Sequence, residues 1–289
     1  MYSFAIIFIQ NPVYVKTVSL LTIFLFIFSI TNSQNIISDI PLEIETGSTY
    51  SVQDENPLNA MVNVAVNARI KKPCVAISYQ NKFLIKEVNF TNGILIIPTN
   101  HGGFSISTSI FGNNNFQQSK ISFGYGRSLG RSIEMGIAFH NFKVYIPQYN
   151  NLSLFTNELG LILHLDDKIT VGLAAFNPLN AKFKYPVNSA LSSRYRTGLG
   201  YRLSEDLLFS FELIKEESRK PGFSPGINYN FHHKFYFSTA FSFPEAKMFI
   251  AAGVHLKNIR INTTMENHPV FGLSPGITCF FWFKKNSEL

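Results

Sequence analysis

Apolar residues occupy alternate positions along most of this 289-residue chain. Phe104, Ile106 and Ile110 alternate with Ser105, Ser107 and Ser109. Ile121, Phe123 and Tyr125 alternate with Ser122, Gly124 and Gly126. Ile133, Met135, Ile137 and Phe139 alternate with Glu134, Gly136, Ala138 and His140. A period of two puts the two sets on opposite faces of a strand. The pattern recurs about a dozen times between Val62 and Phe283, with no helical stretch between repeats. It begins with Val62, Val64 and Val66 against Asn63, Ala65 and Asn67, then Val75, Ile77 and Tyr79 against Cys74, Ala76 and Ser78. Thr91-Asn92-Gly93 reads as a tight turn splitting residues 82–98 into two strands.

The connections sort into two kinds. Three-residue polar turns (Asp166–Lys168, Ser204–Asp206, His232–Lys234) alternate with longer stretches such as Asn177–Arg194 and Lys215–Phe223. Short turns on one rim and longer loops on the other are the arrangement of outer-membrane barrels. The face opposite the Leu, Ile and Phe set is Gly, Ala, Ser and Asn. A soluble sandwich or solenoid would clothe that face in Asp, Glu, Lys and Thr. The pattern therefore predicts an all-β protein: a transmembrane antiparallel β-barrel of about 12–14 strands, its apolar face in lipid.

Composition agrees. The chain is 46% hydrophobic and 15% charged, with 29 Phe, against about 25% charged in soluble domains. No stretch after residue 33 approaches the roughly 20 apolar residues of a spanning helix. Residues 1–33 read as a signal peptide: Lys16, the apolar run Val18–Ile30, then Thr31-Asn32-Ser33 before Gln34. Residues 34–60 read as a polar N-terminal segment inside the barrel mouth, a candidate plug. Residues 61–284 read as the barrel and 285–289 as a short tail. A leader and a barrel together imply export to the outer membrane of a Gram-negative bacterium, with lipid as the first partner.

Charge and cysteines add little chemistry. The net charge is +7, but no run of Lys or Arg exceeds two, so nucleic acid is a poor partner. Cys74 and Cys279 differ in face parity and belong on opposite sides of the wall, which argues against a disulfide. No cofactor or metal motif is present, and His232-His233 reads as a solvated turn pair. Glu134, His140, His164, Arg202 and Glu212 share the small-residue face and are the candidate polar contacts of the lumen. Lys215, Glu216, Glu217, Arg219 and Lys220 form the densest charge cluster, read as an exposed loop and candidate partner contact. No catalytic set emerges from the sequence, and the reading is non-enzymatic.

Several motifs occur in the order of a known family. Asn56-Pro57-Leu58-Asn59-Ala60 and Lys86-Glu87-Val88-Asn89-Phe90 resemble the opening of PorV/PorQ-like proteins, which group with FadL-type outer-membrane barrels. Gly126-Arg127-Ser128-Leu129-Gly130, Glu158-Leu159-Gly160, Val171-Gly172-Leu173 and Phe176-Asn177-Pro178 are similar to its middle section. His268-Pro269-Val270-Phe271-Gly272-Leu273-Ser274-Pro275-Gly276 is similar to its penultimate loop and last strand. The resemblance covers roughly residues 50–284. It implies about 14 strands, an inward N-terminal segment and one of two roles. PorV-like members are accessories of type IX secretion that bind a translocon or cargo. FadL-type members pass hydrophobic molecules across the outer membrane. The first role is the leading expectation here, and a channel for hydrophobic or small solutes is the alternative.

Overall fold

The computed structural model describes residues 56–147, 151–183, 191–217, 219–232 and 234–283. The expected leader, residues 34–55 of the N-terminal segment, Ser218, His233 and the tail lie outside them. Fourteen strands are present: β1 Cys74–Asn81, β2 Asn89–Thr99, β3 Gly102–Asn113, β4 Phe116–Leu129, β5 Ile133–Tyr145, β6 Leu152–His164, β7 Ile169–Phe176, β8 Arg194–Arg202, β9 Leu207–Glu216, β10 Gly222–Phe231, β11 Phe235–Ser242, β12 Lys247–Leu256, β13 Ile259–His268 and β14 Gly272–Trp282. Each pairs antiparallel with its sequence neighbours, and β1 pairs with β14 to close the barrel. Closure satisfies the backbone of every strand and leaves no edge, the condition for a sheet to stand in hydrocarbon.

The two faces separate as the alternation requires. Phe123 is 60% exposed, while the next residue back, Ser122, is 6% exposed. Ile77, Phe104, Phe139, Leu159, Phe211, Phe237, Ile261 and Ile277 continue the outer belt around the wall. In water such a surface would be costly; against acyl chains it is at equilibrium. One rim carries the short connections, at 100–101, 130–132, 165–168, 203–206, 232–234 and 257–258. The other carries 82–88, 114–115, 146–151, 177–193, 217–221, 243–246 and 269–271. They are the short-turn rim and the loop rim below. Cys74 is buried on the lumen side and Cys279 is exposed on the outer side.

Three local expectations fail. Val62–Asn67 is not the first strand. Pro57–Met61 and Val64–Ala68 are 3₁₀ turns inside the barrel, buried at every residue but Ala68. Asn56 and Asn63 cap these turns, their Oδ1 atoms accepting from the Leu58 and Ala65 amides at 3.0 and 3.1 Å. Such local bonds offer the backbone an alternative to a ladder. Asn92-Gly93 is not a turn, because β2 runs straight through it. Gly93 pairs with Ile77 and Thr108, and the buried Asn92 donates to Ser78 Oγ at 3.1 Å. Finally, Lys215, Glu216, Gly222 and Phe223 belong to strands, so the β9–β10 connection shrinks to 217–221.

Candidate functional site

The lumen holds the chain's own residues 56–70. Turns of 3₁₀ type leave main-chain donors and Asn side chains facing the wall. Asn63 Nδ2 donates to the carbonyls of Leu161 and Leu173 at 3.3 and 3.2 Å. The Val64 amide donates to Glu158 Oε1 at 3.0 Å, and Asn67 Nδ2 donates to Ser105 Oγ at 2.8 Å. Leu58, Met61, Val66 and Ile70 join Phe90, Ile96, Phe142, Phe176 and Phe280 in one apolar cluster. The wall is hollowed to fit. A Cβ on Gly136 would lie 2.7 Å from the Ala65 nitrogen, and one on Gly160 would lie 2.8 Å from the same atom. Only a residue without a side chain lets the two backbones approach so closely.

Charges around this plug are paired. Glu134, fully buried, meets Arg69 Nε of the plug and His164 Nε2 at 2.9 Å, and Thr170 Oγ1 lies 3.2 Å from His164 Nδ1. On β8 and β9 Arg196 meets Glu212 at 3.3 Å, and Arg194 meets Glu216 at 3.7 Å. Lys82 meets Glu266 at 2.7 Å, both buried. Arg260 lies over the rings of Phe280, Tyr236 and Trp282, with 4.3, 5.1 and 5.9 Å to the centroids. A buried charge in this setting is tolerable only with such partners.

Glu134, His140 and Glu212 are buried and lumen-facing, and His164 is half-buried beside Glu134. Glu134, Glu212 and Arg202 do not bridge one another: Arg69 and Arg196 are the cations beside the two carboxylates, and Arg202 sits toward the short-turn rim. The charge cluster is split. Glu216 is buried, facing inward between Arg194 and Arg219 at 3.7 and 3.4 Å. Strand parity at the end of β9 turns it inward, so it is not part of an exposed loop. Arg219 and Lys220 are exposed, Lys215 and Glu217 are half-buried, and Lys215 Nζ donates to the Arg219 carbonyl at 2.7 Å.

Residues that sequence reasoning missed are Ser122 and Glu158, which flank His140. Ser122 Oγ and His140 Nδ1 are 2.7 Å apart, and His140 Nε2 lies 3.6 Å from Glu158 Oε2. They stand on three successive strands, and only the register Ser122↔His140 and Ala138↔Glu158 brings them together. Among the described residues no group of three or more His, Cys, Asp or Glu is placed to hold a metal ion.

A narrow cleft opens beside the plug at the loop-rim ends of β7 and β8. Met61, Val62, Ala174 and Phe176 give it an apolar wall; Glu158, Arg194 and Arg196 give it charge. The cleft thus pairs an apolar lining with few convergent polar groups, in a space of about 20 Å³.

No family model matches the chain, and no curated protein matches it. Solved structures do. A Ralstonia pickettii toluene transporter, TbuX, superposes with a TM-score of 0.58 at 9% identity, over 80% of this chain and 95% of the other. A Pseudomonas aeruginosa FadL homologue gives 0.57 at 9% identity, over 79% and 94%. The CymD monoaromatic hydrocarbon channel gives 0.56 at 9% identity, over 80% and 94%. The barrel fold is shared with these three structures. At such low identity the likeness is one of architecture.

Proposed function

We propose that this chain is an outer-membrane channel that admits hydrophobic or small solutes from the loop-rim side. The cleft beside the plug carries this reading. Met61 and Phe176 offer apolar contact, and Arg194 and Arg196 stand at its edge to meet a polar end. The FadL-type architecture supports it, because the neighbours are described as channels or transporters of toluene and monoaromatic hydrocarbons. On this reading the chain sits in the outer membrane after loss of residues 1–33, loop rim outward, and catalysis is not its main task. Purified protein in detergent should bind toluene or a medium-chain carboxylate, measured by calorimetry. Phe176→Glu should weaken binding at least about tenfold, since a buried carboxylate replaces the apolar wall. Absence of binding to the unmodified chain for every lipophilic solute tried would end the proposal.

One observation favours a second reading, a PorV-like accessory of type IX secretion. Residues 56–70 fill the lumen beside β3–β6, and a filled barrel serves as a scaffold without passing solute. Co-purification of a large translocon protein through the Arg219–Lys220 loop, with no solute flux in liposomes, would select this reading over the channel.

A further inference from the structure

The lumen contains a nucleophile, a base and an acid in sequence, and the channel reading uses none of them together. Ser122, His140 and Glu158 are each more than nine-tenths buried. The 2.7 Å contact from Ser122 Oγ to His140 Nδ1 is short enough for proton transfer. A base at Nδ1 requires the ring proton on Nε2, and Glu158 Oε2 faces Nε2 from 3.6 Å. That distance exceeds a hydrogen bond but lies within the looser range of unliganded nucleophile–base–acid sets. Glu158 is itself held by the Val64 amide on Oε1, so its second oxygen is left for the imidazole. A carboxylate that fixes the tautomer and stabilises the imidazolium is what such a base needs.

The site also has a way in. Ser122, His140 and Glu158 line a small cavity with Ser105, Ser107 and Lys120. Met61 and Glu158 border both this cavity and the loop-rim cleft. Met is the most adaptable of apolar side chains, and rotation of Met61 is the movement that the proposed entry requires. Phe176 of the cleft packs on the His140 ring, 5.3 Å between centroids. A hydrophobic ester entering by the cleft meets apolar surface first and the hydroxyl behind it.

We propose that Ser122–His140–Glu158 is an acyl-transfer site acting on carboxylic esters of hydrophobic molecules that enter past Met61. Ser122 Oγ bonds to the acyl carbon while its proton passes to His140 Nδ1. The carbon–oxygen bond to the alcohol breaks, and the alcohol leaves with the proton from Nδ1. Water then attacks the acyl-serine, His140 takes its proton and returns one to Ser122 Oγ, and the acid is released. Glu158 is a positioning residue and exchanges no proton. The idea does not depend on solute transport, and its failure would leave the channel reading intact.

The test uses the full chain in detergent micelles, its folding checked by the heat-dependent migration of barrels on gels. It is incubated with a fluorophosphonate probe and, separately, with p-nitrophenyl butyrate. One phosphonyl adduct on Ser122 and a burst of one nitrophenolate per chain are expected. Ser122→Ala should abolish both, and His140→Asn should slow both on the order of 10²–10⁴-fold. Met61→Ala should speed labelling. Glu158→Gln, whose amide oxygen can keep the Val64 bond, should lower the rate and change its pH profile; a purely structural role would leave that profile unmoved. No adduct on either the unmodified chain or Met61→Ala, or labelling indifferent to His140, overturns the proposal.

Discussion

The lumen is filled in two different ways on its two sides. Along β3–β6 the wall withdraws to Gly103, Gly124, Gly136 and Gly160, and a separate stretch of backbone moves in. Along β8, β9, β12 and β13 the wall itself reaches inward with Arg196, Glu212, Lys247, Arg260 and Glu266. The first side depends on shape, since a few tenths of an ångström decide whether Asn63, Val64 and Ala65 fit. The second depends on charge balance, since each long side chain is stable only beside its counterpart. Barrels must fill a bore of this size or leave it wet. This chain does so with main chain on one side and paired side chains on the other.

The two sides should therefore fail differently. The largest effect is expected on the charged side. Glu266→Ala removes the carboxylate 2.7 Å from a buried Lys82 and should cost about 3–5 kcal/mol, read as a drop in the melting temperature of the barrel. Gly136→Val on the shape side should cost about 1–3 kcal/mol and expose residues 56–70 to protease while the strands stay protected. If both regions became sensitive together, the plug and wall would be one unit and the contrast would collapse. Asn63→Ala, which loses the bonds to Leu161 and Leu173, should cost about 1–2 kcal/mol and increase the same local cleavage. The smallest effect is a control. Gly93 faces outward, where an added Cβ meets only the Thr108 methyl at 3.6 Å, so Gly93→Val should change stability by no more than about 0.5 kcal/mol.

The wall was legible in the sequence because one of its faces meets a single kind of solvent. Phe104 to Ile110 and Ile133 to Phe139 alternate since every second residue touches lipid, and fourteen strands fall at the upper end of the expected range. Val62 to Asn67 shows the same alternation and is no strand. Both its faces are buried against protein, so the period no longer reports a sheet; Asn63 answers to carbonyls on β6 and β7 and Asn67 to the Ser105 hydroxyl on β3. Asn92-Gly93 misleads for a related reason: Gly93 lies in the outer wall and Asn92 serves a lumen contact. The inward placing of Glu134, His140 and Glu212 followed from parity. Their partners did not. Arg69 comes from the plug, and Ser122 and Glu158 reach His140 only through the register of three strands.

The order of the chain has a topological consequence. Residues 56–70 lead directly into Cys74 at the start of β1, and the cylinder is sealed only when β14 zips onto that strand. A segment bonded to β3, β5, β6 and β7 from within is then ringed by the wall. Only residues 71–73 separate it from the seam strand, so the occupant of the pore is moored at the joint where the tube closes.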